Sequence, residues 1–443
     1  MALITKDFYG ILILGKCMNP ISELAPTALQ DTPIRLGIKT VGVGKRGSKA
    51  LSPELAQAIL SDLQTEKILP VEKGAFFAGL FLKGITPPEK ILESALPAGT
   101  LQSARNLAQF LAHDVPESIQ MICQELLDGK ELPLSKALEL GRFLFSDLPG
   151  DGARGLVATA LRVRYETSEE YEGLRLSIQE TIERGFRIPT PPGFPIIQLA
   201  EPFDGVDQSY LLTPLMAQHL IAHRYRVISL VGRNSGPKSG YNLLDLSSAL
   251  KGHFPLNNTE ITDTQPAFGY FLHQAFLSRP LDHWVNLRRQ IIKRPFLATL
   301  ERFLNPAGAR ILFTSAFHPP FTEKMITIAE RAGFPGAVVI RNGLEGSLAF
   351  PLLRPVKIMC SARCQDGTYR RHEFEFDPQA LLGHDIHVEE KLSYPDLEEN
   401  VRLIKVHAHK GRTHNRHFDL RIKATLLGID QALEWLNKNI ANS

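Results

Sequence analysis

The run RIPTPPGFPIIQL at residues 187–199 divides the chain in two. Pro189, Pro191, Pro192 and Pro195 each lack an amide donor and fix φ, so no helix continues through them. Directly afterwards, Ile196-Ile197-Gln198-Leu199 is a short apolar run rich in β-branched residues. Similar runs follow at Val227–Val231, Arg310–Thr314, Ala337–Ile340 and Val356–Cys360, with helical stretches such as Thr322–Ala332 between them. This alternation predicts an α/β domain with a mostly parallel sheet flanked by helices. Ligands in such sheets gather at the C-terminal ends of the strands.

Upstream of the linker the pattern is helical. Ser52-Pro53-Glu54 reads as an N-cap, a first-turn proline and an acid near the positive end of the dipole. Leu55, Ile59 and Leu63 then fall on one face. Residues 74–82, GAFFAGLFL, predict a buried helix with small residues for close packing, and Thr86 caps the next helix. The phrase returns 81 residues later. Lys73 matches Arg154, Gly74 matches Gly155, Leu80 matches Leu161, Lys83 matches Arg164, Thr86 matches Thr167 and Glu89 matches Glu170. Upstream, Leu51-Ser52 is paired with Leu134-Ser135 across a two-residue gap. Cap, cation and apolar positions all agree, which predicts a duplicated helical unit. The expected organisation is an N-terminal segment at 1–36, helical units at 37–118 and 119–195, and the α/β domain at 196–443.

Composition sets the outer bounds. The 443 residues carry 50 Lys and Arg against 47 Asp and Glu, a formal charge of +3; 44% are hydrophobic and 22% charged. That length suits two or three domains and that composition excludes disorder. Four cysteines make no disulfide framework, and Cys360 and Cys364 lack a second pair to complete a zinc site, so a reducing cytoplasm is expected. The apolar run at residues 8–15 is too short for a membrane span and lacks the flanks of a signal peptide.

The loops after the predicted strands carry the candidate chemistry. Residues 231–240, VGRNSGPKSG, combine Gly232, Arg233, Asn234, Lys238, Ser239 and Gly240; amides and cations of this kind cradle phosphate, although a plain Gly-rich turn has the same composition. Asp204, in EPFDGVD, and Glu345, in RNGLEGS, are candidate Mg²⁺ carboxylates. Trp284, Arg288, Arg289, Lys293 and Arg294 form a basic helical stretch. His407, His409, His414 and His417 lie among cations that disfavour a bound metal. Residues 402–423 and 39–49 are strongly basic, and Gly42, Gly44 and Gly47 would let the second of these lie close to a phosphate backbone.

Several phrases resemble the anthranilate phosphoribosyltransferase family, also described as glycosyltransferase family 3 or the nucleoside phosphorylase-phosphoribosyltransferase fold. Residues 132–170 resemble its helical domain, Lys83–Glu89 resembles the same phrase, and Leu300–Pro306 resembles its L-G-P-L-T-N-P stretch. The resemblance covers most of residues 120–430, with the first unit as an extra copy. It implies a helical domain joined to an α/β domain, a homodimer through the helices, phosphoribosyl diphosphate as substrate and Mg²⁺. Departures mark a divergent branch. The G-T-G-G-D loop is replaced by Ala200–Gly205, N-I-S-T retains only Thr213, K-H-G-N becomes Leu230–Arg233, and the D-E pair becomes Glu345-Gly346. S-K-S-G survives as Pro237–Gly240, and the arginine implied to contact the acceptor aligns with Arg288.

The expectation is a phosphoribosyltransferase-like protein distinct from the tryptophan-pathway enzyme. The resemblance implies phosphate binding by Gly232, Arg233, Asn234, Lys238, Ser239, Gly240 and Thr213, acceptor binding by Arg288, and Mg²⁺ binding by Asp204 and Glu345; no catalytic residue is singled out. The alternative is a non-catalytic relative binding nucleic acid or another polyanion through Lys45, Arg46, Lys49, Arg289, Arg294, Lys410 and Arg412.

Overall fold

A computed structural model describes residues 31–44, 47–65, 67–238, 240–341, 344, 347–382, 392 and 394–441. Lys45, Arg46, Ser239, Glu345 and the apolar run at 8–15 lie outside the described residues.

The first half is helical: α1 (Pro33–Val41), α2 (Pro53–Leu63), α3 (Pro70–Lys83), α4 (Ala104–Leu111), α5 (Glu117–Leu127), α6 (Leu134–Leu144), α7 (Asp151–Arg164) and α8 (Ser168–Glu180). The caps form as the sequence dictates: Leu55 N–H donates to Ser52 Oγ at 3.2 Å, and Pro53 follows at the first turn. Pro87–Ala95, the counterpart of the start of α8, is a 3₁₀ helix.

The repeat is built around two buried carboxylates. Glu89 accepts from Leu51 N–H (2.9 Å), Thr86 N–H (2.7 Å) and Lys83 Nζ (2.8 Å). Glu170 accepts from Leu132 N–H (2.9 Å), Thr167 N–H (2.8 Å) and Arg164 Nη2 (2.5 Å). Leu51 therefore corresponds to Leu132 rather than to Leu134, and the offset of 81 runs without the expected gap.

After the linker come β1 (Ile196–Ala200), α9 (Thr213–Ala222), β2 (Arg226–Val231), α10 (Leu243–Ala249), β3 (Tyr270–His273), α11 (Gln274–Leu277), α12 (Arg279–Ile291), α13 (Leu297–Leu300), β4 (Ile311–Ser315), α14 (Pro320–Arg331), β5 (Gly336–Arg341), β6 (Val356–Arg363), β7 (Tyr369–Phe376), α15 (Pro378–Leu382), α16 (Leu397–Lys410) and α17 (Arg416–Asn439). The sheet order is β3-β2-β1-β4-β5-β6-β7. The first five strands are parallel, while β6 and β7 are antiparallel additions at one edge. Residues of β1, β2 and β4 are buried throughout, as expected of strands covered on both faces. Cys360 is buried in β6, where burial pushes its thiol up to about 12, and Cys364 begins the β6–β7 turn.

One core runs from the helical units onto one face of the sheet, and a second joins the other face to α9 and α17. Trp284 of α12 donates its indole N–H to Leu144 O at 2.9 Å, fixing the second helical unit against the α/β domain. Among the described residues, no helix is long and apolar enough to cross a membrane.

Candidate active-site cleft

A cleft of about 730 Å³ lies between the second helical unit and the C-terminal ends of the strands. The end of α7 and the turn after it bring Arg162, Tyr165 and Glu166; the loop after β1 brings Asp204 and Asp207; the loop after β2 brings Lys238. Arg294, Arg302 and Arg354 also line it, as does an apolar wall including Tyr171, Phe321 and Met325. The lining named here holds five Lys and Arg side chains against three carboxylates, so its charge favours an anion.

The first wall is an ordered chain of charges. Arg162 donates to Arg294 O at 2.6 Å, and Arg294 pairs with the buried carboxylate of Asp204. Glu166 accepts from Tyr171 Oη at 3.0 Å, and Lys324 donates to the Glu166 backbone oxygen at 3.0 Å. Burial pushes the Glu166 carboxyl above the usual carboxylate range, against the pull of Lys324, and holds the Tyr171 phenol well above its ordinary value. Burial also lowers Arg302 to about 10. Its guanidinium is braced by Ala298 O, Thr314 Oγ1 and Ser315 O.

The expected phosphate cradle is distributed differently. Lys238 reaches the cleft and donates to Gly205 O at 3.3 Å. Gly232 lies beneath the Phe203 ring: a Cβ there would stand 2.6 Å from the ring. Arg233 makes a paired contact with Asp282, at 3.1 and 2.8 Å. Asn234 spans its own loop, donating to Gly240 O and accepting from Gly236 N–H, while Gly240 packs against Val206. Thr213 is fully buried at the start of α9 beside Glu201, whose carboxylate accepts from Leu348 N–H at 2.8 Å. Burial raises Glu201 above the ordinary carboxylate range. Of the seven expected phosphate ligands, Lys238 alone among the described residues stands in the cleft lining.

Arg288 is also placed elsewhere. It is 2% exposed, pairs with Glu301 at 2.5 Å and is absent from the cleft lining. Arg302, the residue after Glu301, is the buried guanidinium in the wall. The rest of the basic stretch containing Arg288 makes contacts within the chain. Arg289 donates to Asn234 O, Arg294 meets Asp204, and Lys293, lowered to about 8 by burial, donates to Lys39 O. Arg289 is half-buried, whereas Arg294, at the cleft, and Lys49, Lys410 and Arg412 are exposed.

Sequence reasoning passed over Arg162, Glu166, Tyr171 and Arg302. A signal for three of them was in the repeat. At the offset of 81, Arg162, Glu166 and Tyr171 stand where the first unit has Phe81, Ile85 and Lys90. The second unit departs from its copy where it faces the cleft. The four histidines at 407–417 do not gather; among the described residues, the metal-compatible cluster is His219, His223 and Asp430, on α9 and α17.

No family model matches the chain. An uncharacterized protein of Aquifex aeolicus is 23% identical over 224 residues, 49% of this chain and 65% of that protein, so the chain spans under two thirds of that relative. Among solved structures, anthranilate phosphoribosyltransferase from Saccharomyces cerevisiae in complex with PRPP and Mg aligns with a TM-score of 0.54 at 13% identity, over 74% of this chain and 95% of that one. Its Ser121Ala variant with Mg bound gives 0.53 at 14%, over 74% and 91%. The chain has an anthranilate phosphoribosyltransferase-like fold: a helical N-terminal part and an α/β domain with a mostly parallel sheet.

Proposed function

We propose that the cleft binds a phosphorylated ribose and transfers its phosphoribosyl group to a nitrogen acceptor. The supporting observation is the cleft itself: cations from both walls converge on the C-terminal ends of β1, β2 and β4, in a fold whose yeast neighbour is described in complex with PRPP and Mg. Lys238, Arg294 and Arg162 offset phosphate charge. Asp204 and Asp207 offer the hard oxygen donors that suit Mg²⁺, and the ion when bound would neutralise part of the leaving diphosphate. The acceptor nitrogen attacks the anomeric carbon as the bond to diphosphate breaks, and the leaving group takes that electron pair. Glu166 accepts the acceptor's proton, and its raised pKa makes it a stronger base than an exposed carboxylate. Glu166 also opposes an acceptor carboxylate on this wall, so the acceptor is read as an N–H donor rather than an aromatic acid.

Titrating the full chain with phosphoribosyl diphosphate and Mg²⁺ in a calorimeter should give saturable heat; no heat would remove this reading. Lys238→Ala should weaken that binding about 10- to 100-fold, the worth of one charge-assisted contact. Glu166→Gln should leave the binding unchanged and slow turnover about a hundredfold. It should also abolish an acid limb in the pH–rate profile placed above the ordinary carboxylate range. Unaltered turnover would exclude Glu166 as the proton acceptor.

A second reading, polyanion binding on α16 and α17, has its support in exposed Lys405, Lys410, Arg412 and Arg416. It requires affinity for single-stranded nucleic acid that falls steeply with added salt.

A further inference from the structure

The two helical units meet through α3 and α7, and the contact is reciprocal. A Cβ on Gly74 would fall on the Gly152 carbonyl oxygen and stand 2.9 Å from Leu156 N; a Cβ on Gly155 would fall on the Val71 carbonyl oxygen and stand 2.9 Å from Ala75 N. At the offset of 81, Gly155 is the counterpart of Gly74, Gly152 of Val71, and Leu156 of Ala75. Each contact is therefore made twice, with the roles of the units exchanged. That is the geometry of an isologous interface, in which one patch pairs with its own copy about a two-fold axis. Here both copies belong to one chain. The contact is close and buried: residues 71–72 and 74–80 of α3 and residues 152–161 of α7 are all buried.

We infer that the first helical unit is a built-in partner. It occupies, within each molecule, the face of the second unit on which the helical unit of another copy would pair. The occupant of that face is the chain's own repeat, and the protein is a monomer with one cleft per molecule. The first unit carries no matching cleft wall, because Phe81 and Ile85 stand where Arg162 and Glu166 stand in the second. It keeps the pairing face and the buried Glu89 network and has apolar residues at those two wall positions. This replaces the homodimer that the family resemblance implied, and it does not depend on the reaction proposed for the cleft.

Two measurements on the full chain test it. Light scattering should give the monomer mass of 49.3 kDa at every concentration from micromolar to hundreds of micromolar. A species of twice that mass overturns the inference. The second measurement distinguishes a folded-back monomer from chains that exchange their first units. Lys293 Nζ lies 3.0 Å from Lys39 O, so an amine-reactive cross-linker should join Lys39 to Lys293. In an equimolar mixture of unlabelled and ¹⁵N-labelled chains refolded together, that cross-link should join peptides of like label only. Mixed-label pairs would show exchange between chains, and absence of the cross-link would show that the first unit is not docked; either result overturns the inference.

Discussion

Gly155→Leu should be among the most damaging single substitutions in the molecule, costing at least about 3 kcal/mol. The reason is the partner of the missing side chain. Any Cβ at Gly155 meets the Val71 carbonyl and the Ala75 amide nitrogen, which are backbone and cannot rotate away. The helices must separate, and the core between α3 and α7 opens along its length. Gly74→Leu should cost about as much, because it meets the corresponding atoms of the other unit. Gly333 supplies the control: its φ is +83° and a Cβ there would meet nothing within 4 Å. Gly333→Ala should cost only the left-handed backbone penalty, about 1–2 kcal/mol. Urea unfolding followed by circular dichroism gives the comparison. Equal midpoints for Gly155→Leu and Gly333→Ala would show that the crossing is not the close contact described.

The fold was legible because its main signals are local. The prolines at 189–195 stop the helical half, and buried strands are mostly apolar, so the parallel β1, β2, β4 and β5 and the antiparallel β6 stood out. Two strands did not. Tyr270–His273 is only four residues long and runs directly into α11. Tyr369–Phe376 reads YRRHEFEF, and its charges belong to an exposed edge, where they discourage pairing with another chain. The repeat was legible because capping boxes have fixed spacing, but its register across the intervening segment was not. That register is set by Leu51 and Leu132 donating to carboxylates 38 residues away, and no local pattern records this.

The site was harder to read for the same reason. Gly232, Arg233 and Asn234 have the composition of a phosphate loop, yet composition does not say that Phe203 covers the glycine or that Asp282 takes the arginine. Charge alone did not separate Arg288 from Arg302. Glu301 lies 2.5 Å from Arg288, and only the fold shows which of the two guanidiniums reaches the wall. The cleft-lining side chains declare themselves here by difference from the repeat rather than by motif: Arg162, Glu166 and Tyr171 each replace a residue of different character in the first unit.

That internal copy allows one experiment to be run twice in the same molecule. Glu89→Ala and Glu170→Ala should each cost about 3–5 kcal/mol, since each leaves two amide donors and a cation without their buried acceptor. The near-equality is part of the expectation, because the three partners correspond one to one. Combining Glu89→Ala with Lys83→Ala should cost less than the sum of the two, as the lysine no longer has a buried charge to lose. The pH dependence gives an independent reading at Glu89. Burial alone would raise its carboxyl, but Lys83 and the amides of Leu51 and Thr86 outweigh it and hold the carboxyl below the usual range. A carboxylate depressed in the folded state contributes its full stability above the unfolded value of about 4.3 and loses it as pH falls through the folded value. The difference in urea midpoint between the native chain and Glu89→Gln should therefore be constant near neutrality and shrink below about pH 4. A difference that stayed constant into that range would mean that the charge on Glu89 does not stabilise the unit, leaving only its hydrogen-bond geometry.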